Sequence, residues 1–161
     1  MRESFRTFLS RHLFNAWPCY RGTGGRVTFI AGDWSEVRVR LPLSWRTRNY
    51  VGTIFGGSGY GAVDPFFMLM LMHRLGPGFE VWDKAATVRF RRPGRGTLTA
   101  RLALPHGEEE AIRAALREAR SVDRTYRVAL VDAAGEVHVE VDKVVHVRLR
   151  YNAPPSPEPR P

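Results

Sequence analysis

The chain has 161 residues, 43% of them hydrophobic and 25% charged, a composition typical of one globular domain with a substantial core. No run of about 18 apolar residues occurs, which excludes a membrane-spanning helix; Cys19 is the only cysteine, which excludes an intrachain disulfide and a cysteine-based metal site. The net charge of +9 comes almost wholly from arginines scattered along the chain, and we expect a cytoplasmic protein without a signal peptide.

The first predicted element is a helix over residues 2–17. Its apolar residues approximate one helical stripe rather than alternating: Phe5, Phe8, Leu9, Leu13 and Phe14. Trp17 precedes Pro18, and the residue before a proline is disfavoured in the α region. The helix is therefore predicted to end there.

Two strands are predicted next. Residues 22–25 indicate a turn, and residues 26–30 a short strand. After a second turn at Gly32 and Asp33, apolar and charged residues alternate up to Leu41, which is the pattern of a sheet with one solvent-exposed face. Residues 42–55 are predicted to form a loop.

The most apolar part of the chain, residues 56 to about 75, is too long for an average strand and predicts a buried helix. Pro65 removes an amide donor and disfavours α geometry at Asp64, so a kink is expected there. An alternative is that Asp64 only caps the helical half that follows, with Pro65 at its first position.

The second half of the chain predicts four more strands and one helix. The strands are expected at residues 81–92, 97–104, 125–131 and 136–150. An amphipathic helix over residues 107–120 separates the second pair from the first, with three glutamates in its first turn. Residues 1–150 are predicted to form one domain, and residues 151–161 a proline-rich disordered tail. The order of elements predicts an α+β fold with a mostly antiparallel sheet that buries the long helix.

The run from Asn49 to Gly57, followed by Asp64, is the part of the sequence that suggests chemistry. Glycines at the start of a helix let a ligand approach its free amides. Such amides bind an anion or a carbonyl oxygen that becomes one. Gly57, Gly61 and Asp64 share one helical face, and a carboxylate in so apolar a helix needs a partner or a function.

These residues resemble a known family. Asn49, Gly52, Gly56, Gly57 and Asp64 match the spacing of hotdog-fold acyl-CoA thioesterases related to the phenylacetate-pathway thioesterase. A closer resemblance is to the hotdog group called domain of unknown function 4442, whose members are often described as candidate tetrameric acyl-CoA thioesterases. Its motifs are Phe55-Gly56-Gly57-Ser58, Asp64-Pro65, Trp82-Asp83-Lys84-Ala85-Ala86, Arg89-Phe90, Pro93-Gly94-Arg95-Gly96-Thr97 and the last strand through Asp142-Lys143 to Arg148.

The resemblance implies a hotdog fold. Its parts would be a six-stranded antiparallel sheet wrapped around a long central helix, an N-terminal helix, and an extra helix between strands 4 and 5. It also implies a homodimer or homotetramer, with sites formed between two subunits.

The resemblance further implies that Asp64 is the base or nucleophile, Gly56 the oxyanion donor and Asn49 a positioning group. Phe55 stands where those enzymes have histidine, and phenylalanine cannot donate a hydrogen bond or carry a proton. The residues expected to contact the substrate are Phe55, Gly57, Ser58, Phe67, Asp83 and Lys84.

The chain has two lysines, Lys84 and Lys143. Because side chains alternate between the two faces of a strand, counting by twos places both lysines on the apolar face of their strands. A bulge that shifts the register, or an outward-reaching side chain, would explain this. The sharper hypothesis is that one of them is partly buried and pairs with a carboxylate. The candidate partners are Asp64, Asp83 and Asp142.

The sequence thus predicts an acyl-CoA thioesterase-like hydrolase in which water activated by Asp64 attacks a thioester. The alternative is a non-catalytic protein that binds acyl-CoA or lipid, which Phe55 favours. We expect no cofactor, no metal ion and no nucleic-acid partner, since no metal-ligand spacing or recognition-helix pattern is present. The scattered arginines suit either a solvated surface or contacts with the phosphates of coenzyme A.

Overall fold

A computed structural model describes residues 2–150 of the chain. The helices are α1 (Phe5–Ala16), α2 (Pro18–Thr23), α3 (Gly56–Gly61), α4 (Phe66–Leu75) and α5 (Glu108–Glu118). The strands are β1 (Arg26–Ile30), β2 (Glu36–Leu41), β3 (Phe79–Phe90), β4 (Leu98–Ala103), β5 (Ser121–Val131) and β6 (Val137–Leu149). The predicted tail, residues 151–161, lies outside the described residues, and the single domain over residues 1–150 stays a prediction.

The six strands form one antiparallel sheet in the order β1-β2-β4-β5-β6-β3. This confirms the predicted six-stranded antiparallel sheet and supplies the strand order, which sequence pattern alone does not fix. The sheet packs around α4, whose buried side chains are Phe66, Phe67, Met70, Leu71 and Leu75. Burial of each such side chain contributes about 1.5–3 kcal/mol, so this helix anchors the core.

The N-terminal region differs from the prediction, because one helix was expected and two are present. Trp17 is extended, with φ −62° and ψ 125°, and α1 ends before it. Pro18 then occupies the first position of α2. A proline is tolerated there because the amide at this position makes no hydrogen bond within the helix. The turn predicted over residues 22–25 is accordingly shorter, since α2 continues to Thr23.

The long central helix is interrupted at the predicted place. Residues 62–65 form a turn between α3 and α4, a larger break than the kink expected from Pro65. No side chain caps the start of α4. The alternative that Asp64 serves as its cap is therefore wrong, and the Asp64 carboxylate is left for other contacts.

The two edges of the sheet differ. The side-chain amide of Asn15 in α1 donates to the carbonyl of Val27 (2.9 Å) and accepts from its amide (2.8 Å), and the carboxylate of Glu3 accepts from the amide of Ile30. These contacts cover the outer side of β1. At the other edge, β3 pairs with β6 on one side only, so within residues 2–150 its outer side faces no strand. No helix among the described residues is long and apolar enough to span a membrane.

Candidate active site

The start of α3 presents backbone amides that no acceptor within the described residues uses. The first hydrogen bond of the helix runs from the amide of Gly59 to the carbonyl of Phe55, at 3.1 Å. Within residues 2–150, the amides of Gly56, Gly57 and Ser58 have no acceptor. The macrodipole of α3 is small because the helix has only six residues. Any binding of an oxygen atom at this helix start therefore depends on hydrogen bonds from the individual amides.

The loop before α3 is held by Asn49. Its side-chain oxygen accepts from the amides of Val51 (3.1 Å) and Thr53 (3.0 Å), and its side-chain nitrogen donates to the Thr53 hydroxyl (3.0 Å). The amide of Phe55 donates to the carbonyl of Thr47 at 2.7 Å. Asn49 therefore orders the loop that delivers Gly56 to the helix start.

A cavity of about 380 Å³ opens beside the helix start, and Asn49, Phe55 and Gly56 contribute to its wall. The Phe90 ring lies directly over Gly56, since a β-carbon at Gly56 would stand 2.9 Å from two ring atoms. A side chain at this position would require the exposed Phe90 ring to move aside. The remaining lining residues are Thr53, Ile54, Arg91, Arg92, Pro93, Gly94, Leu98 and Val139.

A second group of polar side chains gathers around Lys143 on β6. Its ammonium group donates a hydrogen bond to Asp64, in the turn after α3, and another to the Tyr60 hydroxyl at 2.9 Å. It also forms an ion pair with Asp83 on β3 at 3.1 Å. Two carboxylates and a hydroxyl thus surround the ammonium group. The hypothesis that Lys143 is buried and pairs with carboxylates is confirmed.

Burial and charge act in opposite directions in this cluster. The Lys143 side chain is only 3% exposed. Burial lowers the pKa of Lys143, but the hydrogen bonds to Asp64, Tyr60 and Asp83 raise it more, so the net pKa lies above the ordinary value. Lys143 is therefore a permanent cation at neutral pH and not a proton donor for chemistry.

The two carboxylates of the cluster have different surroundings. Burial raises the pKa of Asp83 although the Lys143 ammonium group opposes the shift, and its Oδ1 atom is buried without a hydrogen-bond partner among residues 2–150. The Asp64 side chain is 39% exposed, so solvent or a ligand reaches it. Burial, followed by the hydrogen bond to Asp64, raises the pKa of Tyr60, which keeps its proton.

Asp64 and the cavity beside Gly56 are not joined within one copy of the chain. Asp64 is not among the residues that line the cavity. Asp64 follows Gly56 by eight positions along α3 and the following turn, which corresponds to roughly 12 Å at the rise of a helix. Within the part of the chain that the structure describes, the acid and the free amides are two neighbouring half-sites.

Three further residues expected at the site occupy different places. Ser58 is buried within α3. Phe67 is buried in the core, where it stacks on Tyr126 with ring centres 4.8 Å apart. Lys84 lies at a bulge between Asp83 and Ala85, and its exposed ammonium pairs with Asp123 at 2.6 Å. The bulge explains why the alternation failed for Lys84, and Asp142 pairs with Arg127 and Arg89 instead of a lysine.

Sequence reasoning missed Tyr60 and Phe90 as parts of this region. Tyr60 stands four residues before Asp64, so the helical spacing that linked Gly57, Gly61 and Asp64 also carries a signal for Tyr60. Phe90 reaches Gly56 from β3 across the fold, and no local pattern predicts that contact.

Solved structures share this architecture. The chain is similar to a Pseudomonas aeruginosa protein of unknown function described as a probable thioesterase, with 22% identity and a TM-score of 0.78 over 93% of this chain and 100% of that one. It is also similar to a thioesterase from Haemophilus influenzae, with 13% identity and a TM-score of 0.65 over 92% and 93% of the two chains. The E. coli PaaI protein from the phenylacetic acid degradation operon matches with 17% identity and a TM-score of 0.61 over 88% and 91%.

At these identities the likeness establishes the fold, and the sheet wrapped around the central helix is the hotdog fold that the resemblance implied. Residues 6–147 match the family Domain of unknown function (DUF4442). The chain belongs to this family, as the motifs around Gly56 and Asp64 indicated. No curated protein matches the chain.

Proposed function

We propose that this protein binds acyl thioesters and hydrolyses them with Asp64 as the base. The observation that carries the proposal is the partly exposed Asp64 carboxylate, fixed by a hydrogen bond from Lys143 just after a helix whose first amides are free. A fixed carboxylate and fixed donors are the two groups that hydrolysis of an acyl compound requires. The thioesterase description of several structural neighbours agrees with this choice.

The reaction follows from those groups. The Gly56 amide donates to the thioester carbonyl oxygen, where negative charge develops in the transition state. Asp64 takes a proton from a water molecule as the water oxygen attacks the carbonyl carbon. The carbon–sulfur bond then breaks, and the leaving thiolate takes up the proton that Asp64 removed from water, which restores the carboxylate. Lys143 holds Asp64 in place and stabilises its charge.

Asp64 and the cavity of its own Gly56 are separate, which supports a site completed by a second copy. The long outer side of β3 is the edge along which two sheets would join. Phe90, the last residue of β3, already lies over Gly56, so this edge runs directly past the helix start. We therefore propose a homodimer with shared sites, and a tetramer would consist of two such dimers.

Coenzyme A is the carrier that the charges favour. Arg91 and Arg92 line the cavity beside Gly56. The side chain of Arg91 is 53% exposed and that of Arg92 is 63% exposed, although each also forms an ion pair with a glutamate. Arginine binds phosphate groups through paired N–H donors. A cytoplasmic location would suit such a substrate, and no nucleic-acid partner is proposed.

The experiment is a panel of acyl-CoA substrates of increasing chain length, assayed by release of the free thiol. Hydrolysis by the wild-type protein, reduced by about a hundredfold or more in Asp64→Asn, is the expected result. Asp123→Asn is the matched control, because that carboxylate pairs with Lys84 away from the cluster. Turnover that survives Asp64→Asn would remove the assigned base.

A non-catalytic acyl-thioester binder is the second candidate, and two observations favour it. Phe55 supplies no proton or hydrogen bond at the helix start, and Asp64 is engaged by a permanent cation. This candidate predicts tight binding of acyl-CoA, measured by calorimetry, without release of thiol by either the wild-type protein or Asp64→Asn.

A further inference from the structure

The outward face of α1 is apolar. Phe5, Leu9 and Leu13 follow one another at intervals of four residues, and they are 81%, 51% and 61% exposed. The buried residue of the helix is instead Thr7. An amphipathic helix of a globular protein normally turns its apolar stripe to the core, so the stripe of α1 is inverted and has no partner among residues 2–150.

The apolar surface continues past the end of the helix. Trp17 is 61% exposed and Trp45 is 82% exposed, and a surface groove runs from the last residue of α1, Ala16, to Trp45. A mostly apolar cavity of about 430 Å³ adjoins the C-terminal part of α1, where Leu13, Phe14 and Trp17 contribute to its wall. A contiguous exposed surface of this kind marks an interaction site.

The rim of this surface is positively charged. Arg2, Arg6, Arg21 and Arg46 are exposed, and within the described part of the chain none of them forms an ion pair with a carboxylate. The acid nearest to the helix start, Glu3, is neutralised by Arg11 at 2.9 Å. An apolar stripe bordered by unpaired arginines is complementary to an anionic lipid surface.

We propose that α1 docks this protein on anionic lipid, with Phe5, Leu9 and Leu13 at the boundary between headgroups and acyl chains. Tryptophan at the end of the stripe suits this boundary, where one part of the ring is in an apolar medium and the N–H is hydrated. The proposal does not depend on the thioester chemistry.

A second copy of the chain fits this face less well. Two copies that met through α1 would bring their arginine rims together, and like charges across an interface oppose association. In addition, α1 has twelve residues and is thus about 18 Å long. Contacts through α1 alone would therefore cover less than the roughly 800 Å² per partner of a stable interface.

The test is co-sedimentation of the full-length protein with vesicles of phosphatidylcholine alone and of phosphatidylcholine with an equal part of phosphatidylglycerol. We expect binding to the anionic vesicles only, weakened by added salt. The variant Leu9→Ser/Leu13→Ser should bind about tenfold more weakly or worse. Leu149→Ser, which alters an exposed leucine on β6, should bind as the wild type does, and thermal unfolding checks that both variants fold.

Three results would overturn the proposal. The first is a wild-type protein that stays in the supernatant with anionic vesicles. The second is a double variant that sediments as strongly as the wild type, because another basic surface would then account for the binding. The third is an oligomer, measured by light scattering, that dissociates in Leu9→Ser/Leu13→Ser, because α1 would then be an interface between copies.

Discussion

Lys143 on β6 donates a hydrogen bond to Asp64, in the turn that interrupts the central helix. The contact ties the middle of the sheet to the break between α3 and α4. Because the lysine also binds Asp83 and Tyr60, one buried cation fixes groups from three other segments of the chain. The position of Asp64 is thus set by the sheet as well as by its own helix.

This arrangement predicts a large difference between the two lysines. Lys143→Met leaves Asp83 buried without its counter-ion, and loss of one partner of a buried pair costs about 3 kcal/mol of the free energy of unfolding. Lys84→Met breaks only an exposed pair and should leave the unfolding midpoint nearly unchanged. Urea denaturation of both variants measures the difference. Equal midpoints would contradict a structural role for the Lys143 cluster.

The contact of Phe90 with Gly56 predicts a specific rescue. In Gly56→Ala the new β-carbon would stand 2.9 Å from the Phe90 ring, so the ring or the helix start must move, and acyl-CoA affinity should fall about tenfold. Gly56→Ala/Phe90→Ala removes the clash and should recover part of that affinity. Gly78→Ala is the control, because a β-carbon there meets nothing within 4 Å. Calorimetric titration gives the three affinities.

Asp142 predicts part of the acid sensitivity of the protein. Hydrogen bonds from Arg127 and Arg89 lower the pKa of Asp142 from 3.8 to about 2. Since the folded-state pKa lies below the unfolded one, the ionised carboxylate stabilises the fold above pH 3.8, and this contribution is lost as the pH falls to about 2. Asp142→Asn should therefore be less stable than the wild type at neutral pH and approach it in acid. Urea midpoints measured across this pH range test the prediction, and a constant difference would contradict it.

Phe55 predicts the direction of a gain of function. Phe55→His places a hydrogen-bonding and proton-carrying side chain at the start of α3, beside the free amide of Gly56. If the protein hydrolyses thioesters, kcat should rise by about tenfold or more, as expected for an added acid–base group. Phe55→Leu is the control for loss of the ring alone. An unchanged kcat in Phe55→His would show that the residue at this position does not limit turnover.

Regular strands and the proline break were predictable from the sequence, because both follow from local geometry. Counting by twos along β6 placed Lys143 on the inner face correctly, since the strand keeps its register over residues 139–149. The same counting failed for Lys84, because the bulge after Asp83 adds one residue to β3 and periodicity does not reveal a bulge. Pro65 predicted the interruption of the central helix. The length of that interruption, a four-residue turn, depends on packing.

The parts of the candidate site that the sequence did not reveal are contacts across the fold. Phe90 over Gly56 requires that the end of β3 passes the start of α3, which depends on a strand order that no local pattern fixes. The separation of Asp64 from Gly56, by contrast, follows from their spacing of eight positions along α3 and the turn. The motif supplies candidate site residues, and their roles stay a prediction.

The side-chain amide of Asn15 has a consequence for growth of the sheet. It hydrogen-bonds both the amide and the carbonyl of Val27, as a neighbouring strand would. These groups of β1 are therefore not available to a further strand. Within residues 2–150, β3 is then the edge strand that is left open for pairing with another strand. If two copies join there as proposed, the covered β1 edges would lie at the two ends of the joined sheet. The proposed edge-to-edge pairing would therefore be self-limiting and would not lead to the open-ended stacking that produces fibres.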